Sequence, residues 1–323
     1  MTAAGDHQRA HSESRKTIYA AMAANFAIAV AKAVAGMIGH SPAILAEAAH
    51  SVADTMNQVF LLVSLSLGDR KPDEEHPFGY GKERFFWAFL AAVFIFVSGA
   101  VFSLYEGLRA LLGDELVEAA FAIAYAVLVF SLLAEGASLW RAVSQVRGDA
   151  RAAGTGLRTY LRNSNDTTVR TVLFEDSAAV CGVVLALIGV SLHQVTGERL
   201  WEGLASIAIG LLLVVVAYVL GRDNKGLLIG EAARPEQREL LREVIMGHPE
   251  VEDVLELLTM HLGPNALLVA VRLDLRDDLS AGDVEQLSNQ IDRELRHAVG
   301  EVSQVFLDAT PRPRPLQAEQ QRV

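Results

Sequence analysis

Residues 43–67 read AILAEAAHSVADTMNQVFLLVSLSL, an apolar run broken by Glu47, His50 and Asp54. These three stand three and then four positions apart, so an α-helix stacks them on one face. Ionisable groups are costly inside a hydrocarbon layer and mark a substrate or ion path. A carboxylate and an imidazole one turn apart also make a natural half-site for a divalent metal. This run therefore points both to a membrane-spanning helix bundle and to the place where its chemistry lies.

Five more apolar stretches surround it, at about 17–39, 85–108, 116–140, 169–193 and 200–221. Each approaches the ~20 residues that a helix needs to cross a bilayer. The spacing predicts six transmembrane helices. The first two are parted only by Gly39-His40-Ser41-Pro42, too short for a soluble element, so they form a tight hairpin with Pro42 in the first turn of the second helix. Between residues 17 and 221, Lys and Arg fall mostly in two loops, 68–84 (Arg70, Lys71, Lys82, Arg84) and 141–168 (Arg141, Arg147, Arg151, Arg158, Arg162). Basic loops stay on the cytoplasmic side, and an even number of spans puts both termini there too. Residues 1–16 are polar, with no cleavage-site pattern before the first apolar run, and read as a retained cytoplasmic tail. A cell (inner) membrane protein is expected.

Beyond Arg222 the pattern changes to that of a soluble domain. Pro235–Gly247 has the apolar stripe of an amphipathic helix, through Leu240, Leu241, Val244 and Ile245. Val251–Met260 reads as a strand, Gly263-Pro264-Asn265 as a turn, and Leu267–Leu275 alternates as a second strand. Asp283–Val299 is helical, with Val284, Leu287, Ile291, Leu295 and Val299 at helical spacing, and Val302–Leu307 closes as a third strand. The predicted fold is thus an α-helical membrane domain (17–221) followed by an α+β cytoplasmic domain (222–310). That domain has αββαβ, ferredoxin-like order, with helices covering one face of the sheet. A disordered Pro- and Gln-rich tail (311–323) follows.

Half of the 323 residues are hydrophobic and 21% are charged, with the charge thinned out between about 17 and 221. The formal charge of −11 with no basic stripe excludes a nucleic-acid binder. The single cysteine, Cys181, offers neither a disulfide framework nor a thiolate metal site.

A metal path needs ligands from more than one helix. The fifth span opens TVLFEDS (171–177), bringing Glu175 and Asp176 into an apolar run. If Glu175 lies at the depth of His50 and Asp54, the three enclose a cation, with Glu47 or Asp176 as the fourth ligand. Such a set suits Zn²⁺, and its oxygen content leaves Mn²⁺ and Fe²⁺ open. The competing reading puts Glu175 and Asp176 at the water boundary, where acids favour a helix N-terminus. Metal binding requires a neutral imidazole and ionised carboxylates, so protons compete for the same groups and proton–metal antiport follows. No resident cofactor is implied. Two other classes remain at this point: a membrane-embedded hydrolase, for which no His-Glu-x-x-His or Ser/Lys pair is present, and a non-transporting metal sensor or scaffold. Lys32 is expected to snorkel or pair helices rather than line the path, and Glu135 to be structural.

Asn25 and Lys32, the stretch SPAILAEAAHSVAD (41–54) and the loop EHPFGYGKERF (75–85) resemble the cation diffusion facilitator family of divalent-metal exporters. The resemblance implies a homodimer, antiport against protons, and alternating access around a site between helices two and five. In a branch where helix five reads Glu-Asp, Glu175 stands in place of the family's usual histidine and Ala179 in place of its aspartate. Tyr80 stands where some bacterial members carry a loop histidine beside Asp73 and His76. In the cytoplasmic domain, Leu255 and Val271 replace expected histidines and leave Asp308 and His261. Dimerisation through protein contacts rather than metal is the implication.

Overall fold

Helix follows hydropathy through the first two thirds of the chain, because a backbone in lipid must satisfy its own hydrogen bonds. The computed structural model describes residues 22–113, 120–152, 154, 156 and 167–310, with backbone alone over 167–172. The two expected tails, the start of the first span, Arg158 and Arg162 lie outside the described residues. The helices are α1 (Met22–Ile38), α2 (Pro42–Gly68), α3 (Glu83–Leu112), α4 (Phe121–Ala152), α5 (Thr167–Thr196) and α6 (Leu200–Ile229). Among the described residues, four segments are long and apolar enough to cross a membrane: Glu83–Leu112, Phe121–Ala152, Leu173–Thr196 and Leu200–Ile229. The α1 helix is a shorter apolar helix over its described residues, and α2 carries the buried charges.

Two ends differ from expectation. The α4 helix runs on to Ala152, so Arg141, Arg147 and Arg151 are helical rather than in a loop. The α6 helix continues past Arg222 to Ile229. In both cases hydropathy marks where the apolar run stops, while a helix continues until a breaker stops it. For α6 the breaker is Gly230, whose φ of +123° lets its N–H and that of Glu231 both reach the Gly226 carbonyl.

The helical core is built on small residues, with Ala35, Ala43, Ala46, Ala53, Ala92, Ala100, Ala178 and Ala186 among its buried members. Small side chains let helix backbones approach closely where hydrocarbon supplies no hydrophobic drive. The α3 and α6 helices are paired this way. A Cβ on Gly107 would lie 2.9 Å from the Gly203 carbonyl oxygen, and the Ser206 hydroxyl donates to the Ser103 carbonyl at 2.8 Å. Mid-way along α3, residues Ile95–Val101 form a π-helical segment, a break in the regular ladder that buries Gly99 and Ala100.

The C-terminal elements are α7 (Pro235–Met246), β1 (Val251–Gly263), β2 (Ala266–Leu275), α8 (Ala281–Ala298) and β3 (Val302–Asp308). The sheet order is β1-β2-β3, with β1 antiparallel and β3 parallel to the central β2. Leu267, Val269, Val271 and Leu273 of β2 are buried on one face, as the alternation predicts, and pack with Leu241 and Ile245 of α7 and Leu287, Ile291 and Leu295 of α8. Ser280 caps α8 in a reciprocal box with Asp283.

By internal contacts the chain divides into two compact units, Met1–Val63 with Trp87–Asp223, and Ser64–Phe86 with Asn224–Val323. The second unit thus contains the 68–84 loop as well as the sheet. In that unit a Cβ on Gly81 would come within 2.5 Å of the Leu262 carbonyl oxygen, and Phe78 meets Phe306 edge to face at 6.4 Å.

Candidate metal site

Helical spacing does on α2 what the sequence requires. Glu47, His50 and Asp54 line one face, with His50 Nε2 3.6 Å from Asp54 Oδ2, close but beyond hydrogen-bond length. The His50 side chain is 3% exposed and Asp54 25%, so the pair is reached from the Asp54 end. Both ring nitrogens of His50 are buried with no hydrogen-bond partner. A buried imidazole normally has at least one partner, so this ring is available to a ligand.

On α5, Glu175 faces α2. Asn57 of α2, one turn beyond Asp54, donates to both Glu175 oxygens at 3.0 Å. Asp176 turns instead toward α4, accepting from the Ser138 hydroxyl at 3.0 Å. The structure therefore pairs His50 with Asp54 on α2 and ties Glu175 to the next turn of that helix through Asn57, while Asp176 is held to α4. Among the described residues no three His, Cys, Asp or Glu side chains already converge on a single point. Both α5 carboxylates are instead held by neutral donors.

Glu47 is placed differently. Its Oε2 accepts at 3.0 Å from Lys32 Nζ of α1, which also bonds Glu135 Oε1 of α4 at 2.7 Å and Ser51 Oγ at 3.0 Å. Lys32 and Glu47 are wholly buried. Of the two roles expected for Lys32, helix pairing is the one seen; with its ammonium enclosed it does not snorkel. Burial of an ion pair tolerates no missing partner, and Lys32 uses all three of its donors. Glu47 Oε1 and Glu135 Oε2 remain unpartnered.

Sequence reasoning missed a second polar cluster at the other end of the same helices. Glu202, in the first turn of α6, is buried and accepts from Ser41, the residue that precedes α2, and sits 2.5 Å from His193 Nδ1 of α5. Arg199 donates to the His40 carbonyl at 2.7 Å. The only sequence signal was an acid two residues into an apolar run, which helix-terminus preference already explains.

In the 68–84 loop the Tyr80 hydroxyl donates to Asp73 Oδ2 and the His76 N–H to Asp73 Oδ1, both at 2.7 Å. The bond from Tyr80, and after it that from His76, holds the Asp73 carboxyl below its usual range. In the sheet domain, Asp308 accepts from Arg272 at 3.0 Å, and burial pushes the His261 imidazole down.

A family model for the cation efflux transmembrane domain matches residues 18–229. The chain is 33% identical over 266 residues to the proton-coupled zinc antiporter SLC30A9, mitochondrial, of Xenopus laevis, covering 80% of this chain and 47% of that protein. It is 31% identical over 266 residues to metal tolerance protein C4 of Arabidopsis thaliana, covering 82% and 58%. It is 25% identical over 305 residues to the manganese efflux system protein MneP of Bacillus subtilis, covering 92% and 96%. The chain thus spans about half the length of the first two relatives. Matched over most of its length by that domain model, this integral membrane protein belongs to the cation efflux, or cation diffusion facilitator, family, whose members are transporters rather than enzymes.

Proposed function

We propose that this protein exports a divalent metal cation, zinc in the first instance, from the cytoplasm in exchange for protons. The observation that carries the reading is His50: a buried imidazole with both nitrogens unpartnered, one turn from Asp54. His50, Asp54 and Glu175 supply nitrogen and oxygen ligands, and Asp176 completes the shell by leaving Ser138. Glu47 is the weaker fourth ligand, because Lys32 already neutralises it. An imidazole with carboxylates suits Zn²⁺, and the oxygen-rich remainder admits Mn²⁺ or Fe²⁺. Support for the metal comes from the relatives, one named a zinc antiporter and another a manganese efflux protein.

Exchange follows from competition. The metal needs His50 neutral and the carboxylates ionised, so protons arriving at these ligands expel it. Six spans, both termini on the cytoplasmic side of the cell membrane, and a homodimer joined through the sheet domains complete the proposal. The basic 68–84 and 141–168 segments support that orientation.

Metal flux into proteoliposomes under an imposed pH gradient tests this. His50→Ala and Asp54→Ala are expected to lower flux at least as much as loss of an outer-shell partner of a ligand does, about 10–100-fold. Flux that ignores the pH gradient would sink antiport, and metal binding without any flux would make the protein a sensor.

A further inference from the structure

Beside the site stands a group of charges centred on Lys32, a residue that the ligand set does not include. Lys32 offers three N–H donors, and Glu47 Oε2, Ser51 Oγ and Glu135 Oε1 accept all three at 3.0, 3.0 and 2.7 Å. The ammonium is enclosed and cannot swing away, so its charge is fixed in place. With both carboxylates around it ionised, the group carries one net negative charge. His50 lies one turn from Glu47, and Ser51 is its chain neighbour.

A transporter must hold its ion firmly enough to select it and loosely enough to let it go. His50, Asp54, Glu175 and Asp176 bring three carboxylates to a doubly charged cation, and Glu47 and Glu135 add two more close behind. In a low-dielectric interior that excess would trap the metal. Resting on the transport reading, we propose that Lys32 is a tethered counter-cation that sets the affinity of the neighbouring site, keeping it low enough for the metal to leave. It acts on the substrate through space, as a specificity-determining residue, while also joining α1, α2 and α4. Glu135 is its opposing partner.

Charge and scaffold roles separate in a set of variants of the full chain, read by flux (KM and kcat) and by equilibrium dialysis with Zn²⁺. Lys32→Gln removes the positive charge and is expected to tighten binding and lower KM about tenfold, with kcat falling by a similar factor. Glu135→Gln leaves Lys32 bound to Glu47 and Ser51 but removes a negative charge, so KM is expected to rise about tenfold. The charge-balanced pair Lys32→Met with Glu135→Leu should bring KM back to within about twofold of wild type. Lys32→Arg, which keeps the charge, should do the same.

A Lys32 that only joins helices would change the yield of folded protein and leave KM and dialysis affinity where they were, and that result overturns the proposal. So does a balanced pair whose affinity shifts as far as that of Lys32→Gln. If Lys32→Gln does not fold, the opposite-signed shift in Glu135→Gln and the restored affinity of the balanced pair still decide. Should the wild type move no metal at all, the transport reading fails, while the dialysis affinities continue to report on the charge.

Discussion

The two ends of the helices that carry the site treat polar groups in opposite ways. At one end Glu202 joins Ser41 and His193, Arg199 closes on the His40 carbonyl, and the Tyr125 hydroxyl donates to Gln194 at 2.8 Å with the Ser191 hydroxyl 3.1 Å away. About 14 Å along α2 from Ser41, by helical rise, His50 has no partner, and Asp54 beyond it is a quarter exposed. Low dielectric strengthens satisfied polar groups and makes unsatisfied ones expensive. On the transport reading, the Glu202 cluster would act as a seal that opens in turn with the His50 end, with Trp201 Nε1 beside it buried and unpartnered.

Glu202→Ala gives the largest effect expected on this contrast, since one carboxylate serves α2, α5 and α6 together. It strands the Ser41 hydroxyl and His193, at about 2–3 kcal/mol for buried polar groups left unpaired. Proteoliposomes of this variant should show a metal-independent proton leak, and Glu202→Gln a smaller one. A tight vesicle with Glu202→Ala would mean that the cluster seals nothing.

Gly182→Ala probes the site side. A Cβ there collides with Glu47 Oε1, so α2 and α5 approach because residue 182 has no side chain. Overpacking of this kind costs about 1–3 kcal/mol, and the displaced Glu47 should loosen its bond to Lys32. A fall in melting temperature together with a changed KM is the expected result; a fall in melting temperature alone would place Glu47 outside the affinity of the site.

Gly81→Ala follows in size, within the unit that holds the 68–84 loop and the sheet. The new Cβ meets backbone on all its nearest contacts, 2.5 Å from Leu262 O and 3.0 Å from Gly263 Cα, and backbone yields less than a side-chain tip. Release of the loop from the β1–β2 turn, at about 1–3 kcal/mol, should appear as faster hydrogen exchange over 69–82. Unchanged exchange there would show that the loop tolerates the displacement.

Much of this was legible beforehand, and for identifiable reasons. The α2 triplet was readable because both its spacing and its cost in lipid are local properties of one helix. The α7-β1-β2-α8-β3 order was readable because Leu267, Val269, Val271 and Leu273 alternate while Leu287, Ile291 and Leu295 follow a helical period. The partner of Lys32 was not, since 103 residues separate it from Glu135 and only packing brings them together. Ser41, His193 and Glu202 were hidden for the same reason, each having an innocent local explanation. Helix ends at Ala152 and Ile229 were missed because hydropathy reports the lipid boundary rather than the end of the helix.

Tyr80→Phe is the smallest test and sharpens the contrast from outside the bilayer. Asp73 is a fully satisfied carboxylate, with both oxygens bonded, whereas Asp54 lies unbonded 3.6 Å from its imidazole. The bond from Tyr80 is the main cause of the lowered Asp73 carboxyl, so its loss should raise that group toward the ordinary range of about 3.9. The sign follows from linkage. A carboxyl depressed in the folded state stabilises above its unfolded value, and that contribution is lost as pH falls through the folded one. Wild type should therefore keep the loop ordered to lower pH than Tyr80→Phe does, by a small margin because the group is open to solvent. An NMR titration of the Asp73 carboxyl in both proteins reads this directly. If Asp73 titrates identically in the two, the Tyr80 hydroxyl does not occupy it, and Asp73 and His76 are free to take up a metal after all.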